Sequence, residues 1–250
     1  MQESPWIEPV LEPVFSFEGG FQRFNSYHSG SRYCNYHGRD KFLEGNLYFA
    51  TCPDLSFQLE IRFTQTHYHR WAIDQVKQAM QYAILDDARG DLLAFSVGIE
   101  LAEPIPIGIK DIGFIHHGPF ELEVHAAFGK EWSLEGERIS RIYGLAALGF
   151  GIEAYPWIRG FFASEQRLFL RHLLGAKLLF GGGLGDSRLR KYKFRGYKEV
   201  AYRFVDAAFE YTYIGDWGDI TFKYVRSIIR QNMPYAVQQL SLHVILPFKL

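Results

Sequence analysis

The segment Leu55–Thr64 reads LSFQLEIRFT, and its spacing decides the fold class. Leu55, Phe57, Leu59, Ile61 and Phe63 fall on one face, and Ser56, Gln58, Glu60, Arg62 and Thr64 on the other. That is period two, the signature of a strand with one apolar and one polar side; a helix would repeat at three and four. The same alternation places Leu93, Phe95, Val97, Ile99 and Leu101 on one face, and Phe120, Leu122, Val124, Ala126 and Phe128 on another. Ile142, Gly144, Ala146, Leu148, Phe150 and Ile152 repeat it, as do Leu240, Leu242, Val244, Leu246, Phe248 and Leu250. Further strands are expected over 14–26, 41–51, 170–183, 199–214 and 219–230, about ten in all, within a range of eight to twelve. Residues 71–87 read as one short helix in a long loop, because Ile73, Val76, Met80 and Ile84 approach a single stripe.

Composition narrows the class. The chain has 250 residues with a formal net charge of −1, which removes the basic excess of a nucleic-acid binder. Two cysteines cannot build a disulfide scaffold, and no CxxC pair suggests zinc. No apolar run is long enough for a transmembrane helix. Residues 1–13, with Pro5, Pro9 and Pro13, read as an extended lead-in to a single barrel domain over 14–250. This lead-in carries no secretory signal of its own.

The links also carry information. Cys52-Pro53-Asp54 and Gly215–Asp219 are tight turns. Residues 27–40, 70–90 and 184–198 read as long polar links, which antiparallel counting puts at the opposite end of the sheet. Segments 104–118 and 154–168 do not fit that rule. Cys34 and Cys52 then lie at opposite ends, too far apart to bond.

Alternation alone does not say whether the apolar face meets a core or lipid. Three features favour lipid. The apolar faces run nine or more residues, the length a tilted strand needs to cross a bilayer. Aromatic residues (Phe49, Tyr155, Trp157, Tyr211, Tyr213, Trp217, Phe248) gather near strand ends, where an interfacial girdle would lie. The opposite faces are small and polar with scattered charge. On these residues the chain resembles bacterial outer-membrane β-barrel proteins, which end in an alternating apolar strand closing on an aromatic residue. Here the strand from Leu240 ends Phe248-Lys249-Leu250. The resemblance implies an all-β antiparallel transmembrane barrel in a bacterial outer membrane, exported by a signal outside this stretch. Its implied partners are the lipid bilayer, lipopolysaccharide and the outer-membrane assembly machinery, with no nucleic acid and no cofactor.

The expected lumen carries Glu18, Glu44, Glu60, Glu100, Glu121, Glu123, Glu153, Asp206 and Glu210 against Arg62, Arg141, Lys177 and Lys223, with His125 and His243. Such a set either pairs internally or lines a narrow polar pore. Glu121, Glu123 and His125 share one strand face about 7 Å apart, a spacing open to general acid–base chemistry, and His243 is a potential added metal ligand. His67 and His69 could share a metal at the rim, and His116-His117 sit in an irregular segment. His28 stands beside Ser29 and Ser31, a loose echo of a nucleophile and base. Arg188, Arg190, Lys191, Lys193, Arg195 and Lys198 crowd one loop and suit an anionic partner. Gly181–Gly183 and Gly185 lack the lysine of a phosphate loop and read as close backbone packing or a flexible strand end.

The function expected is a narrow pore or a structural, surface-interacting barrel. The alternatives are an outer-membrane hydrolase working through the Glu-Glu-His face, and a soluble barrel whose apolar faces enclose a small ligand.

Overall fold

The computed structural model describes residues 4–7, 10, 12–67, 69–134 and 137–247. Twelve strands form one closed antiparallel sheet: β1 (Val14–Ser29), β2 (Arg32–Cys52), β3 (Leu55–Gln65), β4 (Ala72–Leu85), β5 (Ala94–Pro104), β6 (Glu121–Leu134), β7 (Glu137–Gly151), β8 (Ala154–Phe169), β9 (His172–Gly183), β10 (Arg203–Gly215), β11 (Gly218–Gln231) and β12 (Gln238–Pro247). Each strand pairs with its sequence neighbours, and β12 returns to β1 through a register running from Val14 opposite Pro247 to Arg23 opposite Gln238. A two-residue segment, Pro234–Tyr235, adds to β1 above that seam. The end of the last strand, Phe248–Leu250, lies outside the described residues.

Two of these strands correct the count of about ten. Residues 71–87 are not a helix but β4, and residues 154–168 are β8. In β4 the register slips where Arg62 and Phe63 of β3 face Gln75 and Ile73. The extra residue, Asp74, turns inward with Gln75 and moves the outward set from Ile73 to Val76, Met80 and Ile84. A bulge in a strand therefore imitates the three-and-four spacing of a helix. The region 27–40 is also strand, because β1 and β2 meet in a hairpin at Gly30–Ser31. Helical structure among the described residues amounts to one turn, Pro106–Ile109, and 3-10 turns at Asp87–Arg89 and Lys191–Lys193.

The wall separates two environments. Leu59 is 38% exposed and its neighbour Glu60 1%, so the apolar face of β3 points out of the barrel and the charged face in. Phe17, Phe21, Leu43, Phe63, Met80, Val97, Ile99, Val124, Phe128, Leu148, Phe162, Leu178, Phe209, Phe222 and Leu242 continue that outward apolar band around the wall. The reading of a soluble barrel with these faces inside is therefore corrected: they line no interior. A continuous apolar belt this size is solvated by lipid, and its strands cross the bilayer.

The connections sort by end. Turns 53–54, 170–171 and 216–217 with the link 86–93 lie at one end, together with the start of β1 and the finish of β12. The other end carries loops 66–71, 105–120, 184–202 and 232–237, besides the turns at 30–31 and 152–153. We refer to these as the short-turn and long-loop ends. Cys34 and Cys52, both unpaired, sit near opposite ends of β2. The aromatic girdle is partial: Phe49 stacks on Phe57 at 5.4 Å on the outer wall, and Tyr155, Tyr211 and Trp217 are exposed. Trp157 departs from it and is buried in the lumen.

Candidate functional site: the charged lumen

The lumen encloses a cavity of about 630 Å³. Every strand places an ionisable side chain on its inward face, from Glu18 on β1 to His243 on β12. These are the positions opposite the apolar ones in the period-two pattern, so the pleat that sends Leu59 outward sends Glu60 inward.

Most of the charges are paired across neighbouring strands. Arg62 donates to Glu44 at 2.8 Å, and Lys77 lies 3.0 Å from Glu60 and 4.0 Å from Glu100. Arg159 donates to both oxygens of Glu123 at 2.8 and 2.7 Å and approaches Glu100 at 4.0 Å. A ladder Glu44–Arg62–Glu60–Lys77–Glu100–Arg159–Glu123 thus follows the wall from β2 to β8. It crosses β7 because that strand presents only Ala147 and Gly149 at this level. A Cβ on Gly149 would meet the Trp157 ring at 1.9 Å, so glycine there lets Trp157 lie flat and reach Glu123. On the remaining wall Arg141 donates to Glu165 at 2.7 Å, and Glu210 lies between Lys177 and Lys223 at 3.8 and 3.7 Å. Asp206 accepts from Arg230 at 2.9 Å. Pairing of this kind is what permits so much charge in a confined space.

Of the residues expected in the lumen, Glu60, Arg62, Glu100, Asp206, Glu210, Lys223 and His243 are there. Glu153 is not: β7 ends at Gly151, and Glu153 occupies an exposed turn with φ 56°, paired at 3.4 Å with Lys198. Glu121, Glu123 and His125 share a face, but each is engaged separately. Glu121 accepts the backbone N–H of His117, Glu123 holds Arg159, and the buried ring of His125 lies over Gly98. His243 cannot join them, since the neighbours of β12 are β1 and β11 while β6 is across the barrel. Lys77, Arg159, Glu165 and Arg230 are lumen charges that sequence reading missed, the first three on the two strands it missed and Arg230 at the end of β11.

Loop 105–120 folds into the barrel. The Gln22 amide donates to the Gly113 carbonyl at 2.9 Å, and His116 Nε2 lies 3.1 Å from Asp74. His117 stacks on Trp157 at 3.7 Å and bonds the Tyr202 hydroxyl at 2.8 Å. Loop 184–202 closes over it: the Tyr197 hydroxyl donates to the Ile112 carbonyl at 2.8 Å, while Leu189, Val200 and Met233 pack with Phe24 and Tyr36 in one buried apolar cluster. Gly182, Gly183 and Gly185 admit this loop's backbone, and a Cβ on Gly185 would meet the Glu199 carbonyl at 2.2 Å. Burial in the cluster raises the Tyr197 phenol well above its ordinary value, so it stays a neutral donor. At the short-turn end Pro5 is fully buried, and Trp6 packs edge-on to Tyr143 at 5.9 Å and donates to Asp87 at 2.8 Å. The Gln81 amide holds the Ser4 carbonyl at 2.9 Å.

The cationic loop lies on the outer surface of this closure. Arg188, Arg190, Lys193 and Arg195 are exposed, Lys191 sits 3.8 Å over the Tyr36 ring, and Lys198 is taken by Glu153. His67 and His69 do not converge with a third ligand. Among the described residues no group of three His, Cys, Asp or Glu side chains is placed to hold a metal. His28 packs edge-on to Tyr33 at 4.7 Å, and Ser29 donates to the Leu189 carbonyl at 2.7 Å, so neither meets the other as base and nucleophile.

No protein-family model matches the sequence, and no curated protein matches it. Similarity appears in solved structures. An outer-membrane channel from Pseudomonas putida F1 superposes with TM-score 0.72 at 10% identity over 97% of each chain. The NanC porin gives 0.60 at 9% identity, over 94% of this chain and all of its own. The translocator domain of the autotransporter NalP from Neisseria meningitidis gives 0.50 at 12%, over 97% of this chain and 89% of its own. Identity this low carries architecture alone, and that architecture is the closed antiparallel fold of bacterial outer-membrane β-barrels.

Proposed function

We propose that this protein is an outer-membrane pore: a narrow, charge-lined path for small polar solutes, constricted from within by loop 105–120. The observation that carries this reading is a polar cavity lined by ionisable residues from every strand, inside a wall whose outer face is apolar. By the usual arrangement of such barrels the short turns face the periplasm and the long loops the outside. The exposed cations of loop 184–202 then meet the anionic lipopolysaccharide layer, and the last strand is the one presented to the assembly machinery. The solute is small, since the space is about 630 Å³, and both signs of charge line it.

The hydrolase alternative has less support, because Glu123 is held by Arg159 and Trp157. Changing Glu123→Gln should leave any lipid or peptide hydrolysis by the purified barrel unchanged.

Two measurements test the pore. Detergent-extracted protein should migrate faster in SDS before boiling than after it, and Leu59→Arg should cost about 2–4 kcal/mol of insertion stability in a lipid refolding titration. Reconstituted in a planar bilayer, the protein should pass discrete, small ionic currents. A barrel that inserts and never conducts would leave the structural role in its place.

A further inference from the structure

A second concavity, about 590 Å³, lies on the outer wall where β1, β2 and β3 emerge from the apolar band towards the long-loop end. Arg23, Arg39 and Lys41 line it with His37, Asn25 and Gln65. All of them occupy outward positions in the alternation, immediately beyond Phe21 and Leu43 of the band. Arg23 and Arg39 are directly opposite one another across the β1–β2 ladder. Facing residues have Cβ atoms about 5 Å apart, and like charges so placed destabilise a sheet unless an anion stands between them. Lys41 is two residues along the same face, about 7 Å away. Among the described residues, neither Arg39 nor Lys41 has a carboxylate partner. The nearest acid, Asp40, is turned into the lumen, where the Gln22 amide donates to it. Arg23 is oriented by Gln238 on β12, which accepts from its Nε and Nη2 and leaves the other guanidinium nitrogen free. Arg226 extends the row, facing the other side of Gln238.

We infer that this pocket holds a phosphate of a phosphorylated lipid in the outer leaflet. Three unneutralised cations converge at the depth where the apolar belt ends, which is where a headgroup phosphate lies when its acyl chains run down the wall beside Phe21 and Leu43. Arg23 and Arg39 supply forked donors matched to phosphate oxygens, and Lys41 adds a point charge. The inference rests on the outward face being lipid-solvated, and extends it from generic apolar contact to one headgroup chemistry at one place on the circumference.

The test uses the full chain in detergent, titrated with bis-phosphorylated lipid A and followed by native mass spectrometry. The wild type should retain the lipid, and a variant carrying Arg23→Gln, Arg39→Gln and Lys41→Gln should bind it about a hundredfold more weakly. Lipid A stripped of phosphate should bind both forms alike. Equal retention by the variant overturns the pocket, and displacement by millimolar inorganic phosphate overturns the lipid as its source. Both forms are first checked for heat-dependent mobility and for insertion into phosphatidylcholine vesicles. If the wild type fails to insert, the membrane placement falls and this assignment with it. If only the variant fails, single changes at Arg39 and Lys41 each replace it, with about a fivefold loss expected from either and equal retention overturning the pocket.

Discussion

The two mouths of the lumen are closed in different ways. At the long-loop end, loops 105–120 and 184–202 interlock through a buried apolar cluster around Tyr197, Leu189 and Met233, with hydrogen bonds from Gln22, Tyr197 and Tyr202. Asn232 ties them to the hairpin, its amide donating to the Ala201 carbonyl and its oxygen accepting the Gly30 N–H. At the short-turn end residues 4–7 enter, held by the Trp6 indole, the Ser4 carbonyl and the Arg141 guanidinium 5.4 Å over the Trp6 ring. The first is a constriction built as a small core. The second is held, among the described residues, by side-chain hydrogen bonds and ring contacts at Trp6, and on the proposed path it is the mouth expected to open at lower cost.

That contrast can be broken or sharpened by measurement. The largest effect is expected from Tyr197→Ala, which removes a fully buried aromatic ring and its bond to Ile112, about 3–5 kcal/mol for such a truncation. Single-channel conductance should rise several-fold while the heat-dependent mobility shift persists. Unchanged conductance would mean that the loops do not form the narrow point. Trp6→Ala should act in the same direction but less, because Trp6 is only half-buried whereas Tyr197 lies wholly inside its cluster. Its expected signature is a higher open probability with little change in unit current. A larger gain from Trp6→Ala than from Tyr197→Ala would reverse the assignment of the two mouths. The smallest change should come from Arg159→Gln between them, which leaves Glu123 without its guanidinium. The reversal potential in a KCl gradient should move towards cation preference, and a shift towards anions would exclude that stretch of wall from the path.

How much was legible follows from the same physics. Strands β3, β5, β6, β7 and β12 separate lipid from a polar lumen, so hydropathy alternates along them and their inward charges can be read directly. In β8 the inward face mixes Trp157, Phe161 and Ala163 with Arg159 and Glu165, while Gly160 and Ser164 interrupt the outward face of Ile158 and Phe162, and period two vanishes. In β4 the bulge at Asp74 shifts the phase. The upper parts of β1 and β2 stand beyond the apolar band and bear polar residues on their outward face, so a hairpin there reads as a link. Lys77 and Arg159 were lost with their strands. The inward fold of loop 105–120 left only a trace, Ile112 and Phe114 in an otherwise irregular stretch, and the bonds that fix it come from residues far away in sequence.

The charge ladder has a further consequence for how the barrel is assembled. A strand that slipped by one residue against its neighbour would turn Glu60, Arg62 or Lys77 into hydrocarbon. A slip of two would keep the faces correct but offset each acid from its base by a full repeat of the pleat. The wall therefore carries its own proofreading: the lipid rejects odd errors of register, and the lumen charges reject even ones.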